Sequence, residues 1–197
     1  MSTRTVDPLS FRRVPITVFA LLALASVLAG IWPIAGLLAT WAPALIVPEA
    51  AGLPSLIPPL RLWPLGETTW AFWLSDTLGA LVMLAIAALQ LRAAARKRPD
   101  PGPGRAFGTA VGVTTVAIIG GNLVRSVFLS FAVNADLGTY LGQLVAGVAV
   151  SALTGALLGC LVGAVAAVVA AVRRAPATDA VPAVEPAPAV EPLPAVE

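Results

Sequence analysis

Residues 138–172 read GTYLGQLVAGVAVSALTGALLGCLVGAVAAVVAAV and contain no charged side chain. A helix needs about 20 apolar residues to cross a bilayer, and this stretch is longer. Small residues recur at every fourth position, the spacing that lets transmembrane helices approach each other closely. The stretch therefore predicts a transmembrane helix with a packing face made of Gly147, Ser151, Gly155, Gly159 and Gly163.

Two uses of this small-residue face are open at the level of sequence. In the first, the face packs inside the chain against the first or the third helix. In the second, it contacts another copy of the chain or a different membrane protein. Both uses rely on the same property, because small side chains permit backbone-to-backbone contact where no hydrophobic effect drives helices together.

Three further apolar stretches precede this one, at about residues 14–41, 69–91 and 107–133. Of the 197 residues, 58% are hydrophobic and 11% are charged, whereas about 25% are charged in a soluble domain. Too little charge is present to cover a water-facing surface. The predicted fold is all-α, a four-helix transmembrane bundle over residues 14–174, in which Pro33 either kinks or ends the first helix.

Three segments fall outside the predicted helices. Residues 1–13 form a short N-terminal segment. Residues 42–67 are apolar but rich in proline, which predicts an irregular extracytoplasmic loop that is either a linker at the membrane surface or a lid or partner-docking surface. Residues 175–197 repeat the unit Pro-Ala-Val-Glu and predict a disordered tail, either a spacer or a peptide that a partner recruits.

The basic residues predict the orientation. Ten of the twelve flank the helices on one side: Arg4, Arg12, Arg13, Arg92, Arg96, Lys97, Arg98, Arg105, Arg173 and Arg174. By the positive-inside rule both termini are cytoplasmic, which corresponds to N-in/C-in topology in a bacterial inner membrane. The bacterial assignment rests on the use of eleven arginines against one lysine. The alternative for the first helix is a signal peptide cleaved after Ala29.

Several chemistries are excluded by composition. The chain has no histidine and a single cysteine, so the commonest general base is missing, as are an intramolecular disulfide and a thiolate metal site. A net charge of +2 is too small to predict a nucleic-acid partner. We expect no catalytic residue, cofactor or metal, and we expect Cys160 to be a buried packing residue. The expected partners are the lipid bilayer and a second copy or another membrane protein.

One group of polar residues lies inside the predicted helices. Asp76 and Arg125 each lie about 10–12 Å from the outer surface at 1.5 Å per residue, which places opposite charges at equal depth. Asn122 shares a helix face with Arg125, and Gln143 is expected in the same layer. These four residues predict an intramembrane polar cluster that acts as a structural lock or as a substrate or ion site. In the alternative arrangement, Arg125 snorkels outward and Asp76 lies at the interface.

The function predicted from these features is non-enzymatic. We expect a small integral membrane protein that serves as an accessory or scaffold subunit and associates through the small-residue helix face. A second hypothesis is a small transporter or channel subunit that uses the polar cluster and needs oligomerisation. A third is a membrane-embedded enzyme acting on lipid, with Asp76 as its acid or base.

Overall fold

The structure, a computed structural model, describes residues 13–31, 37, 40, 56–63, 69–98, 101–132 and 136–174. The predicted N-terminal segment before Arg13, most of the proline-rich loop, Pro33 and the C-terminal tail lie outside the described residues. The predictions for those parts stay predictions.

Four α-helices have both of their ends within the described residues. α1 spans Arg13–Gly30, α2 spans Trp70–Lys97, α3 spans Pro103–Ala132 and α4 spans Leu137–Arg174. The protein is all-helical, as predicted, and each of these helices is long and apolar enough to cross a membrane. The outward faces are apolar as well. On α4, large exposed side chains recur along one face, at Leu153, Leu157, Leu161, Val165, Val168 and Val172.

Two helices extend at least four residues beyond one of their predicted ends. α2 continues six residues past Leu91, to Lys97, because the added residues are alanine, arginine and lysine, which favour helix. Basic residues in the last turn also interact favourably with the helix dipole. α3 begins at Pro103 rather than at Phe107, since proline in the first turn needs no hydrogen-bond donor.

α1 ends at Gly30, and the choice between a kink and an end at Pro33 lies outside the described residues. The last turn of α1 lies against a different part of the chain, where the backbone N–H of Leu60 donates to the carbonyl oxygen of Ser26 at 2.9 Å. The backbone of Leu60 also occupies the space beside Gly30, so that a side chain there would collide with it. Residues 56–63 therefore cover the end of α1.

Consecutive helices run antiparallel, which brings α1 and α3 to begin where α2 and α4 end. At this end Arg174 of α4 lies beside Gly102, just before α3. Eight of the ten described basic residues also belong to this end, which we call the basic end. They are Arg13, Arg92, Arg96, Lys97, Arg98, Arg105, Arg173 and Arg174.

The apolar core runs along the inside of all four helices. Alanines occupy much of it, which brings the helices close together, and larger side chains fill the remaining space. Representative members that are at most 3% exposed are Val18, Leu22, Met83, Ala87, Ala110, Ala117, Ile118, Ala166 and Ala170. Deeply buried alanine suits helices that associate by close van der Waals packing.

The described part of the proline-rich loop, residues 56–63, inserts among the helices at Pro58 and Pro59, whereas Leu62 and Trp63 are exposed. Pro58 is fully buried, and its carbonyl oxygen accepts a hydrogen bond of 2.7 Å from the hydroxyl of Ser26. The space for the proline ring exists because Gly121 has no side chain: a Cβ there would lie 2.9 Å from Cγ of Pro58. This part of the loop is therefore packed against the helices, whereas a simple linker would lie on their surface.

Asp136 caps the start of α4. Its carboxylate accepts hydrogen bonds from the backbone N–H of Thr139 at 3.0 Å and from the Thr139 hydroxyl at 2.7 Å. These bonds hold the pKa of Asp136 below its ordinary value of 3.8, because they favour the ionised form. The charged cap satisfies an N–H that the helix itself leaves without a partner.

The lowered pKa of Asp136 sets the pH range in which the cap acts. Its contribution is fully present above the ordinary value of 3.8 and is lost as the pH falls through the lower folded-state pKa. We expect hydrogen exchange of the Thr139 amide, corrected for its intrinsic pH dependence, to speed up in that acidic range. The Asp136→Ala variant should exchange faster already at neutral pH. Equal protection in both proteins at pH 7 would contradict the cap.

Candidate functional site: a buried polar cluster

An ion pair between α2 and α3 forms the centre of the polar cluster. Nε of Arg125 donates to Oδ1 of Asp76 at 2.8 Å, and Nη2 of Arg125 contacts the same oxygen. The side chains are 14% and 7% exposed, respectively. Asp76 is the seventh residue of α2, and Arg125 lies seven residues before the end of α3. Because α2 and α3 run antiparallel, these two residues lie at the same height along the helices.

The arginine can cross to α2 because the facing position is glycine. A Cβ at Gly79 would lie 2.9 Å from Cδ of Arg125 and 2.9 Å from the carbonyl oxygen of Gly121. The alkyl part of Arg125 therefore lies directly on the backbone of α2. Its guanidinium group is directed at Asp76 and not outward, so the structure does not have the snorkelling arrangement.

A second arginine, Arg61, completes the site and is not one of the four residues predicted from the sequence. Nε of Arg61 lies 3.3 Å from Oδ2 of Asp76, and the Arg61 side chain is 25% exposed. Its carbonyl oxygen accepts hydrogen bonds from Nε1 of Trp73 at 2.9 Å and from the hydroxyl of Thr77 at 3.2 Å. Residues 56–63, the inserted segment, are thus fixed to α2 through both the backbone and the side chain of Arg61.

A signal for Arg61 was present in the sequence. Apart from Arg125, it is the one basic residue that does not belong to the ten on the predicted cytoplasmic side. A basic residue in an apolar, proline-rich loop that lies near a helix carrying Asp76 is a candidate partner for that aspartate. No partner was predicted for Arg61, because residues 42–67 were interpreted only as a linker at the membrane surface or as a lid or partner-docking surface.

The cluster continues from α3 to α4 through amide and hydroxyl groups. Nη1 of Arg125 lies 3.4 Å from Oδ1 of Asn122, and Nδ2 of Asn122 donates to Oγ of Ser151 at 2.9 Å. Asn122 and Ser151 are 2% and 1% exposed. A continuous series of polar contacts therefore joins residues 56–63, α2, α3 and α4. Polar groups buried this deeply are costly unless each finds a partner.

Gln143 is the one predicted cluster residue that the structure does not bring to the site. It is half-buried, and among the described residues no hydrogen bond of the cluster reaches it. Ser151 takes its place, eight residues further along α4. At 1.5 Å per residue Gln143 lies about 12 Å from the level of Ser151, toward the start of the helix. The position of α4 along its axis was not deducible from the length of the apolar stretch.

The predicted packing face of α4 lies against α3. A Cβ at Gly155 would lie 2.7 Å from Cα of Thr115, and one at Gly159 would lie 2.9 Å from Cα of Val111. All five predicted residues are buried: Gly147, Ser151, Gly155, Gly159 and Gly163. The face is therefore occupied within the chain, which corresponds to the first of its two predicted uses. A partner reaches it only if α3 is displaced.

Cys160 departs from its prediction for the same reason. Gly159 faces α3, and the next residue is rotated by about 100° around a helix of 3.6 residues per turn. Cys160 is consequently exposed on the outward surface of α4 rather than buried among glycines. It lies beside exposed leucines such as Leu157 and Leu161. Within the described residues, no group of three histidine, cysteine or acidic side chains is placed to hold a metal ion.

A second run of glycines, on α3, is open to the surroundings. Gly104, Gly108 and Gly112 are spaced by four residues, and a Cβ at any of them meets no atom of the described chain within 4 Å. They lie on the face of α3 opposite to its buried residues, such as Ala106 and Ala110. The glycine face of α4 is therefore covered by α3, whereas the glycine face of α3 itself is exposed.

No protein-family model, curated protein or solved structure matches the chain. The class of protein is defined by the fold and the site alone. It is an all-helical protein with four helices long and apolar enough to span a membrane, typical of a membrane protein. An ion pair and its hydrogen-bonded neighbours join the elements at the end opposite to the basic end.

Proposed function

We propose that the chain is a multi-pass protein of a bacterial cell membrane with both termini in the cytoplasm, and that it serves as a non-enzymatic accessory or scaffold subunit. The orientation is supported by the basic end, since basic residues are retained on the cytoplasmic side of membrane helices. Apolar side chains such as Leu153 and Leu161 face outward along α4, where lipid surrounds them in this proposal.

The observation that carries the structural role is the closed geometry of the polar cluster. Asp76 contacts two guanidinium groups of its own chain, and the amide of Asn122 contacts Arg125 and Ser151. A transport or catalytic site requires polar groups directed toward a substrate. These groups are instead directed at one another, across four parts of the chain, which favours a structural lock over the transporter hypothesis and over lipid chemistry at Asp76.

The association surface of such a subunit is proposed on α3 rather than on α4. The predicted face on α4 is covered, with backbone contact at Gly155 and Gly159. The open run of Gly104, Gly108 and Gly112 offers the same four-residue spacing to another transmembrane helix. The covered face supports this assignment, because it displays the close approach that such spacing permits.

Crosslinking of the native membrane, mild-detergent purification and mass spectrometry of co-purifying proteins test the proposal. We expect a stoichiometric membrane protein to co-purify with the parent chain and to be lost from the Gly108→Leu/Gly112→Leu variant. A Cβ at either position meets no described atom within 4 Å, so we expect the variant to retain the thermal stability of the parent.

The matched control is Gly142→Leu, which also places leucine at a helix position with nothing within 4 Å. It should retain the partner. If the double variant retains the partner too, the α3 face is not the association surface. If the parent chain purifies alone, and a transport activity is found that disappears in a folded Asp76→Asn variant, the transporter hypothesis replaces the scaffold proposal.

A further inference from the structure

A cavity of about 330 Å³ opens at the basic end between α1, α2 and α3. Its inner wall is apolar and includes the buried side chains of Val18, Leu91 and Ala110. Its outer wall includes three basic residues, Lys97 and Arg98 at the end of α2 and Arg105 near the start of α3. The cavity lies apart from the polar cluster, which occupies the other end of the helices.

The charge around this cavity has one sign. Among the described residues that line it, three are basic and none is acidic. All three basic side chains are exposed, so their charged groups are available to a ligand. The sequence between Arg92 and Arg105 adds two further arginines and the single acid Asp100. An occupant that complements this site carries negative charge at its head.

The apolar inner wall adds a second requirement. A free inorganic anion would leave Val18, Leu91 and Ala110 without a complementary surface, whereas a molecule with an alkyl chain covers them. The volume equals that of roughly eleven water molecules at about 30 Å³ each, which suits a phosphate group and the first carbons of an acyl chain. Basic pockets between membrane helices bind the headgroups of anionic lipids in this manner.

We propose that this cavity binds one anionic phospholipid, with its phosphate between Lys97, Arg98 and Arg105 and the upper part of an acyl chain against Val18, Leu91 and Ala110. The lipid joins three helices at the end of the molecule that the polar cluster does not reach. The inference stands on the cavity and its charges, and it does not depend on whether the chain acts as a scaffold.

Native mass spectrometry of the full chain, delipidated in detergent and then titrated with lipid, tests this inference. We expect phosphatidylglycerol to bind with 1:1 stoichiometry and on the order of tenfold more tightly than phosphatidylcholine, because the basic residues attract the net negative charge. The Arg98→Gln/Arg105→Gln variant should lose this preference. The control, Arg92→Gln/Arg96→Gln, removes two charges from the same end of α2 but outside the cavity, and should keep it.

A second pair of variants tests the apolar wall without changing the charge. Ala95→Phe fills the cavity and should weaken phosphatidylglycerol binding, whereas Ala93→Phe, on the outward face of the same turn, should not. Thermal unfolding in detergent confirms that each variant is folded. If both double arginine variants lose phosphatidylglycerol binding equally, diffuse attraction to the basic surface replaces the inference. Competition by millimolar glycerol 3-phosphate equal to that by the lipid would overturn it in favour of a soluble phosphate.

Discussion

Gly159→Leu, on the face of α4 that packs against α3, is expected to destabilise the protein strongly. A Cβ at this position would lie 2.9 Å from Cα of Val111 and 3.1 Å from its carbonyl oxygen. Both atoms belong to the backbone of α3, so no side-chain rotation relieves the collision, and the helices must separate along their contact. Overpacking costs about 1–3 kcal/mol where side chains can adjust, and we expect a loss of about 3 kcal/mol or more here.

Thermal or denaturant unfolding in mild detergent measures this loss. Gly159→Ala should lie between the parent and the leucine variant, since it introduces the same first atom without the larger branches. Gly142→Leu, at an open position of the same helix, should unfold like the parent. Parent-like stability of Gly159→Leu would show that α3 and α4 do not meet in this register.

The comparison between the two glycine runs shows which part of the packing is readable from sequence. The four-residue spacing on α4 predicts a face for close approach, and all five residues predicted for that face are buried. The same spacing at Gly104, Gly108 and Gly112 belongs to an open surface. The spacing of glycines shows that another helix can approach closely. Which helix does so depends on how all the helices are arranged, and a local sequence pattern does not contain that arrangement.

The position of residues 56–63 among the helices could not be predicted from the sequence, for a different reason. The prolines of residues 42–67 correctly exclude a regular helix at residues 56–63, where the backbone is irregular. The burial of Pro58 depends instead on the missing side chain of Gly121 and on a hydroxyl offered by Ser26. These residues are distant in sequence, and only the packed helices bring them together. The contribution of Arg61 was overlooked for the same reason.

The polar cluster was predictable in its centre and not at its edge. Asp76 and Arg125 are opposite charges in apolar helices, and the cost of burying either one alone predicts that they meet. Their depths follow from counting residues from the helix ends. The choice between Gln143 and Ser151 depends on the axial position of α4, whose 38 residues are more than a bilayer crossing requires.

Asp76→Asn and Arg125→Met are each expected to destabilise the fold by about 3 kcal/mol, the lower end of the range for breaking a buried ion pair. Asparagine preserves the shape of Asp76 while removing its charge. Methionine preserves much of the alkyl stem of Arg125, which lies on Gly79, while removing the guanidinium group. Arg61→Met should cost about 1 kcal/mol or less, because Arg61 is partly exposed and lies further from the carboxylate.

The double variant Asp76→Asn/Arg125→Met separates an ion pair from two independent polar residues. If the charges stabilise each other, the double variant should lose less than the sum of the single losses, with a coupling of about 1–3 kcal/mol. Denaturant unfolding of the four proteins in one detergent measures that coupling. Additive losses, or a parent-like stability of Asp76→Asn, would contradict a structural lock.

Exchange of the two charges offers a sharper test because Arg61 makes the site asymmetric. In the variant Asp76→Arg/Arg125→Asp, the new arginine would lie beside Arg61, whose Nε is 3.3 Å from the native carboxylate. Like charges at that distance repel, so exchange alone should recover little stability. Addition of Arg61→Met removes the repulsion and should recover more. Full recovery by the exchange alone would mean that Arg61 does not contact residue 76, and the cluster would then consist of α2, α3 and α4 without the inserted segment.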